Sequence, residues 1–156
     1  MQKITKANKI TADKIFNLSS DVKLEKPYSI ITQDVDITVW PEFIDSKLNP
    51  IENLFIWAYH VRIQNKSNET IKLLSRYWRI VDANGIIQEV SGEGVIGEQP
   101  KILPQASYQY SSGVHLQSPS GIMMGHYQMQ KDDGTIFNAK IPHFSLDVPS
   151  SKGVVN

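Results

Sequence analysis

Apolar and polar residues alternate with a period of two along much of this chain. The clearest case is Leu54–Gln64, where every odd position is apolar or aromatic and the even positions include His60, Arg62 and Gln64. Such alternation predicts a half-buried β-strand, with the odd positions in a core and His60 and Arg62 turned outward. Alternation or a short apolar run predicts further strands at Ser29–Trp40, Ile71–Asp82, Ile86–Val90, Ser107–Tyr110, Ile122–Lys131, Thr135–Ile141 and Phe144–Val148.

Short polar segments with glycine separate these strands. Asn84-Gly85 predicts a two-residue hairpin turn of type I′, because both central residues of that turn need a positive φ angle. Asp132-Asp133-Gly134 predicts a second hairpin turn, and Ser111-Ser112-Gly113 a third turn.

The strand pattern is interrupted after Pro41 and again at Pro142. Pro41–Asn53 contains two prolines and two asparagines, which predicts a loop, held to the body by Phe43, Ile44 and Leu48. Pro142 predicts a break, an edge strand or a bulge, because proline cannot donate a hydrogen bond to a neighbouring strand.

Seven or eight short strands without helical periodicity are typical of two antiparallel sheets packed face to face. The sequence therefore predicts an all-β, immunoglobulin-like or fibronectin-type-III-like antiparallel sandwich of seven or eight strands. The chain has no cysteine, so Trp57 and Trp78 are expected to anchor the core by packing alone. Leu74 and Ile80 are expected to face inward on the strand of Trp78.

Composition adds limits to this interpretation. A chain of 156 residues fits one domain, predicted at 28–149 between a flexible N-terminal extension (1–27) and a tail (150–156). The formal net charge of zero argues against a nucleic-acid partner. No apolar run of membrane-spanning length and no signal-peptide pattern occur, so no membrane insertion and a cytoplasmic location are expected.

Gly92, Gly94 and Gly97 match the G-x-G-x-x-G pattern of dinucleotide-binding loops. Such a loop needs a following helix whose N-terminus meets the pyrophosphate, whereas a proline comes three residues later and no helical pattern follows. Glu93 and Glu98 also place negative charge where a phosphate would lie. The sequence favours a structural loop with positive φ angles. A phosphate or divalent-metal loop formed by these five residues is kept as the alternative.

The sequence shows no arrangement typical of catalysis or of a resident metal. Its four histidines contain no H-x-x-x-H pair and no cysteine accompanies them. No serine lies in a G-x-S-x-G elbow. We therefore expect no catalytic residue, no cofactor and no metal ligand, and an enzyme acting on a phosphate compound is the weakest of the alternatives.

A protein-docking surface is the remaining hypothesis. Arg76 and Arg79, with His60 and Arg62, are expected to form a basic outer face that either receives an acidic partner or is simply solvated. Methionine and tyrosine adapt and anchor well at interfaces, which draws attention to the strand after residue 121. The candidate interaction residues are Arg76, Arg79, Met123, His126, Tyr127 and Met129.

Several longer motifs identify a family resemblance. They are LLSRYW at Leu73–Trp78, DANG at Asp82–Gly85, EVSGEGVIGEQP at Glu89–Pro100, YSSG at Tyr110–Gly113 and GIMMGHYQM at Gly121–Met129. In this order and spacing, from about Val35 to Pro149, they resemble the ApaG family. The chain departs from the family pattern at Tyr77, where histidine is more usual.

The resemblance implies a fibronectin-type-III-like sandwich that usually stands alone in bacteria and acts as a protein-interaction module in larger eukaryotic proteins. It also implies a link to cobalt resistance and magnesium efflux. We therefore expect a non-enzymatic interaction or regulatory module with an unidentified protein partner, or weakly with a second copy of itself. The alternative is a module that binds a small ligand, a divalent metal or a nucleotide through the Gly92–Gly97 loop.

Overall fold

The computed structural model describes residues 26–48 and 50–149, which form two antiparallel β-sheets packed face to face. The predicted all-β sandwich is confirmed, with nine strands in these ranges in place of seven or eight. They are β1 (Tyr28–Thr32), β2 (Val35–Leu48), β3 (Asn53–Asn65), β4 (Ile71–Asp82), β5 (Ile87–Glu93), β6 (Lys101–Ile102), β7 (Ser107–Leu116), β8 (Ser120–Lys131) and β9 (Ile136–Asp147). Residues 1–25 and 150–156, which contain nearly all of the predicted extension and the whole predicted tail, lie outside the described residues.

One sheet has the strand order β1-β2-β3-β7 and the other the order β5-β4-β8-β9, with β6 also paired to β4. The two predicted tryptophan anchors are both buried between the sheets. The ring of Trp78 lies 4.9 Å from that of Tyr59 and 6.0 Å from that of Phe144, so it contacts both sheets. Edge-on aromatic contacts of this kind stabilise a core beyond the area that they bury.

The predicted single strand at Ser29–Trp40 is wrong, because a hairpin divides it. Gln33 and Asp34 have φ angles of 45° and 65° and turn the chain between β1 and β2. The alternating pattern continues through this turn and hides it. Ile31, which the pattern would bury, is exposed at the molecular edge.

The loop predicted at Pro41–Asn53 is wrong for most of its length, since β2 continues to Leu48. Beyond Val39, which pairs with Tyr28, β3 is the only strand of the described ranges that pairs with β2. An edge position can accommodate Pro41 because its missing N–H leaves no ladder bond unmade. Of the three residues expected to pin this segment, only Phe43 packs on the core, and Ile44 and Leu48 are exposed.

Bulges explain which side chains face inward on β4 and β9. The register of β4 shifts between Leu73 and Ser75, so the inward set is Ile71 and Leu73 before the bulge and Trp78 and Ile80 after it. Leu74, predicted to be inward, is the bulged residue. The predicted interruption at Pro142 is a bulge, since Ile141 and Phe144 are both buried although three residues apart.

Two of the three predicted turns are found. Asp132-Asp133-Gly134 connects β8 and β9, and Gly134 has a φ of 88°. The turn at Asn84-Gly85 is a three-residue loop and not type I′, because only Gly85 has a positive φ and Asp82 N–H donates to Ile86 O. Ser111-Ser112-Gly113 is no turn, since it lies inside β7 and pairs with β3.

Candidate functional site

The glycine motif forms a tight structural loop between β5 and β6. Ile96 and Gly97 have φ angles of 42° and 79°, and Val95 and Glu98 exchange backbone hydrogen bonds of 2.8 and 2.9 Å. This is the geometry of a type I′ turn, which the sequence predicted at Asn84-Gly85 instead. Gly94, with a φ of 62°, donates its N–H to Leu74 O at 2.8 Å and ties the loop to the β4 bulge.

The guanidinium group of Arg76 is hydrogen bonded to the backbone at the start of the loop. Arg76 Nη1 donates to the carbonyl oxygens of Glu93, at 3.1 Å, and Gly94, at 2.9 Å. A Cβ atom on Gly92 would lie only 3.2 Å from the same nitrogen. Gly92 therefore allows the backbone to pass close to this arginine, whereas a Cβ on Gly94 would meet the carbonyl oxygen of Glu98.

Arg76 lies on the inner face of its sheet, opposite Tyr127, and not on an outer basic face as predicted. Beyond it lies a group of buried tyrosines, in which the hydroxyls of Tyr110 and Tyr127 are hydrogen bonded. Burial raises the pKa of both hydroxyls well above the usual value, and the positive charge of Arg76 opposes part of this rise. The group is thus a neutral, hydrogen-bonded core cluster beside one cation.

This geometry is that of a structural loop and differs from that of a dinucleotide-binding loop. The element after the loop is the short strand β6 and not a helix. The N–H groups of Gly94, Val95 and Glu98 already donate to backbone carbonyls, so they are not turned towards a ligand. Glu98 Oε1 accepts a hydrogen bond of 3.1 Å from the Tyr108 hydroxyl, which gives this carboxylate a partner within the protein.

Three of the six candidate interaction residues lie in the core. Met123, Tyr127 and Met129 are almost completely buried, because the odd positions of β8 all face the other sheet. They cannot contribute to a surface in this fold. Met124, on the opposite face of β8, is only partly buried.

Besides Arg76, two candidate interaction residues remain. Arg79 and His126 lie on the outer face of the β5-β4-β8-β9 sheet. The His126 ring stacks on Tyr77 at a centroid distance of 5.2 Å, and the Tyr77 hydroxyl donates to the Glu89 carboxylate. The hydrogen bond and negative charge of Glu89 raise the pKa of Tyr77, while Arg79 opposes this effect. This outer face therefore carries one connected polar group across β5, β4 and β8.

Sequence reasoning missed a second polar cluster, on the outer face of the β1-β2-β3-β7 sheet. His60, predicted to be exposed, is only 3% exposed. Its Nδ1 lies 2.7 Å from Ser111 Oγ and its Nε2 lies 2.8 Å from Glu42 Oε1. A carboxylate only accepts hydrogen bonds, so Nε2–H donates to Glu42. In this tautomer Nδ1 carries no proton and accepts a hydrogen bond from the Ser111 hydroxyl.

This serine–histidine–glutamate contact resembles a charge-relay arrangement, but Ser111 is itself buried. A nucleophilic serine has to reach a substrate, whereas this hydroxyl mainly satisfies a buried ring nitrogen. Residues 42, 60 and 111 are cross-strand neighbours when β2 and β7 have their full lengths. The sequence would therefore have indicated this cluster only if both strands had been predicted at full length. The loop predicted at Pro41 and the turn predicted at Ser111 concealed it.

The described residues contain neither a metal-binding cluster nor a membrane-spanning helix. No group of three or more histidine, aspartate or glutamate side chains in these ranges is arranged to hold a metal ion. No helix in the same part of the chain is long and apolar enough to cross a membrane.

Fold and site together define a small antiparallel β-sandwich domain whose glycine loop is hydrogen bonded to an inward-facing arginine. The family model described as the ApaG domain matches residues 45–131, and the chain belongs to this family. It is 51% identical over 129 residues to Protein ApaG of Brucella suis, covering 83% of this chain and 99% of that protein. Protein ApaG of Paramagnetospirillum magneticum is 50% identical over the same length and shares.

Solved structures agree with this family assignment. A crystal structure of the ApaA protein from Bordetella pertussis is similar at a TM-score of 0.71 and 34% identity, covering 76% of this chain and 96% of that one. An X-ray structure of a structural genomics target has a TM-score of 0.73 and 38% identity, covering 79% and 93% of the two chains. The family resemblance seen in the sequence is therefore confirmed.

Proposed function

We propose that this protein is a non-enzymatic interaction module, and that the free edge of β5 receives an extended segment of a protein partner. The observation that carries the proposal is the exposed apolar character of this edge. Ile87 and Val90 are 51% and 42% exposed. Among the strands that the structure describes, β5 pairs with β4 alone, so its other edge carries no described strand. Edge strands usually avoid such residues, or carry lysine or proline, because a bare apolar edge invites pairing.

The backbone of β5 supports the same proposal. Asp82 N–H donates to Ile86 O, which sets the ladder so that Gln88 and Val90 bond to β4. In an antiparallel pair, hydrogen bonding alternates from residue to residue, so Ile87, Glu89 and Ser91 direct their N–H and C=O groups away from β4. Strand addition uses such groups for affinity and alternate side chains for specificity.

The outer sheet face extends this edge with further contact area. Ile122 of β8 is 46% exposed, and Val81 lies between it and Ile87 in the strand register. These three side chains form an apolar row that continues into the polar group of Tyr77 and His126. A partner segment on β5 would therefore have both apolar and hydrogen-bonding neighbours, as is usual at interfaces.

The family resemblance implies a link to cobalt resistance and magnesium efflux. In this proposal the protein contributes to these processes only indirectly, through its partner. The partner bound at β5 would carry the transport or regulatory activity. The alternative of ligand binding at the glycine loop draws no support from the loop itself, where backbone N–H groups bond internally.

Substitution of Ser91 tests the proposal. Ser91→Pro removes an outward N–H group and leaves the β4 ladder intact, whereas Ser91→Ala keeps the group. The protein and both variants are used to capture partners from cell extract, and any partner found is purified. We expect wild-type protein and Ser91→Ala to bind it, Ser91→Pro to lose it, and the amides of Glu89 and Ser91 to gain hydrogen-exchange protection in the complex.

The outcomes separate the proposal from its competitors. Protection elsewhere, with unchanged binding by Ser91→Pro, would contradict docking at β5. Protection of the same amides in pure concentrated protein, with a rise in mass by ultracentrifugation, would identify a second copy of the chain as the occupant.

A further inference from the structure

A cleft at the beginning of β4 brings together three lysine side chains that the proposed function does not use. Its volume is about 270 Å³, and its lining residues are Thr70, Lys72, Lys101, Gln130, Lys131, Asp132 and Gly134. Pockets for drug-sized ligands begin at roughly 300 Å³, so this cleft suits a smaller molecule. Apart from one glycine its lining is polar or charged, which suits an ion.

Strand register explains why the lysines converge. Lys72 lies directly opposite Lys101 of β6 and, on its other side, opposite Gln130 of β8. Residues directly opposite each other share one face of a sheet, and like charges in such a pair are destabilising. The register therefore makes Lys72 and Lys101 like-charged neighbours on one face of the sheet, an arrangement that is unfavourable for stability.

The charges in the cleft are only partly compensated. Within the described ranges no carboxylate lies within ion-pair distance of Lys72 or Lys101. Lys131 lies over the Phe137 ring at 5.5 Å, and its charge interacts with Asp133. Asp132 supplies one negative charge to the lining against three positive ones. The excess is local, because the whole chain has a formal net charge of zero.

We propose that this cleft binds a small, multiply charged oxyanion of the diphosphate class. Lysine acts as a compact positive charge with three donors and binds phosphate groups well. The lining also contains Thr70 and Gln130, whose hydroxyl and amide groups are neutral hydrogen-bond donors. A bound diphosphate screens the repulsion between Lys72 and Lys101, so ligand binding relieves the unfavourable pair.

The test uses pyrophosphate as the probe and the full-length protein at low ionic strength. Binding is measured by titration calorimetry and by the rise in melting temperature, which must accompany binding to the native state. We expect Lys101→Gln to weaken pyrophosphate affinity about tenfold or more, because a charge-assisted hydrogen bond is lost. Lys140→Gln is the matched control, since Lys140 is exposed on β9 and lies outside the cleft.

The unliganded variant separates loss of the site from loss of the fold. Lys101→Gln removes one of two opposed like charges, so its melting temperature without pyrophosphate should equal or exceed that of the wild-type protein. No binding at millimolar pyrophosphate, or an equal loss in Lys140→Gln, would overturn the proposal. Lys101-dependent binding of a single-stranded oligonucleotide, with none of pyrophosphate, would replace it with a nucleic-acid site.

Discussion

Gly94 and Gly97 have the same backbone handedness but very different surroundings. Their φ angles are 62° and 79°. A Cβ atom on Gly94 would lie 2.0 Å from the carbonyl oxygen of Glu98, whereas a Cβ on Gly97 would meet nothing within 4 Å. The motif therefore contains one glycine required by close backbone approach and one required only by conformation.

We predict that Gly94→Ala destabilises the protein by about 3 kcal/mol or more, because a left-handed alanine also clashes with backbone. Gly97→Ala is the matched control and should cost about 1 kcal/mol, the strain of the left-handed conformation alone. Urea denaturation of both variants measures the difference in free energy of unfolding. Equal costs would contradict the tight turn between Val95 and Glu98.

The buried tyrosine pair predicts a pH dependence. Burial raises the pKa values of Tyr110 and Tyr127 well above 10.0, the ordinary value. Because the folded pKa exceeds the unfolded one, the stabilisation is fully present below pH 10. It is lost as the pH rises from there towards the folded values.

We therefore expect the free energy of unfolding to fall above pH 10 by about 1.4 kcal/mol per pH unit for each of these tyrosines. Tyr127→Phe removes one titrating group and should make this fall shallower, although the variant starts from a lower stability. Urea denaturation at pH values from 8 to 11 measures the slope. An unchanged slope in Tyr127→Phe would contradict the assignment.

At the scale of elements, the β4–β5 and β8–β9 hairpins have the same loop geometry, but the aspartates in their loops differ in burial. Each has a three-residue loop ending in a left-handed glycine, Gly85 or Gly134. In the first, the buried Asp82 carboxylate accepts hydrogen bonds from the N–H groups of Asn84 and Ile86. In the second, the exposed Asp133 accepts one from Thr135 N–H.

We predict that Asp82→Ala destabilises the protein by about 2 kcal/mol, because two loop N–H groups lose a charged acceptor in a buried site. Asp133→Ala is the control and should have a much smaller effect, since water replaces the lost acceptor. Thermal and urea denaturation of the two variants measure the contrast. A larger effect in Asp133→Ala would show that the β8–β9 hairpin limits stability instead.

Strands were predictable where their patterning was unbroken. The bounds predicted for β4 match those of the structure, and those of β3 and β8 differ by two residues or fewer. β2 was not predictable beyond Trp40, because Pro41 and the polar residues after it signal a loop. Only the position of this segment, with β3 on one side and no described strand paired on the other, lets a strand continue through proline.

At the scale of the whole molecule, the described sandwich contains its own core and both sheets. We predict that a fragment comprising residues 28–149 unfolds cooperatively, with a melting temperature within a few degrees of the full chain. Every strand that the structure describes pairs with another strand inside those limits. Calorimetry of fragment and full chain tests this, and a broad, non-cooperative transition of the fragment would contradict the predicted domain limits.

The sequence by itself determined the fold class, the family and the positions of two turns. Period-two alternation, the two core tryptophans and the glycines of the loop are local or compositional signals, and the structure agrees with them. These predictions agree with the structure because strand propensity and positive φ angles depend on a residue and its near neighbours.

Only the tertiary structure decided which side chains are inside and which lie together. A single bulged residue reverses the facing of every later side chain in a strand. The bulge at Leu74 therefore turns Arg76 inward to the tyrosines, and the full lengths of β2 and β7 bury His60 between Glu42 and Ser111. The lysine cleft likewise arises from register between β4, β6 and β8, which no local pattern specifies.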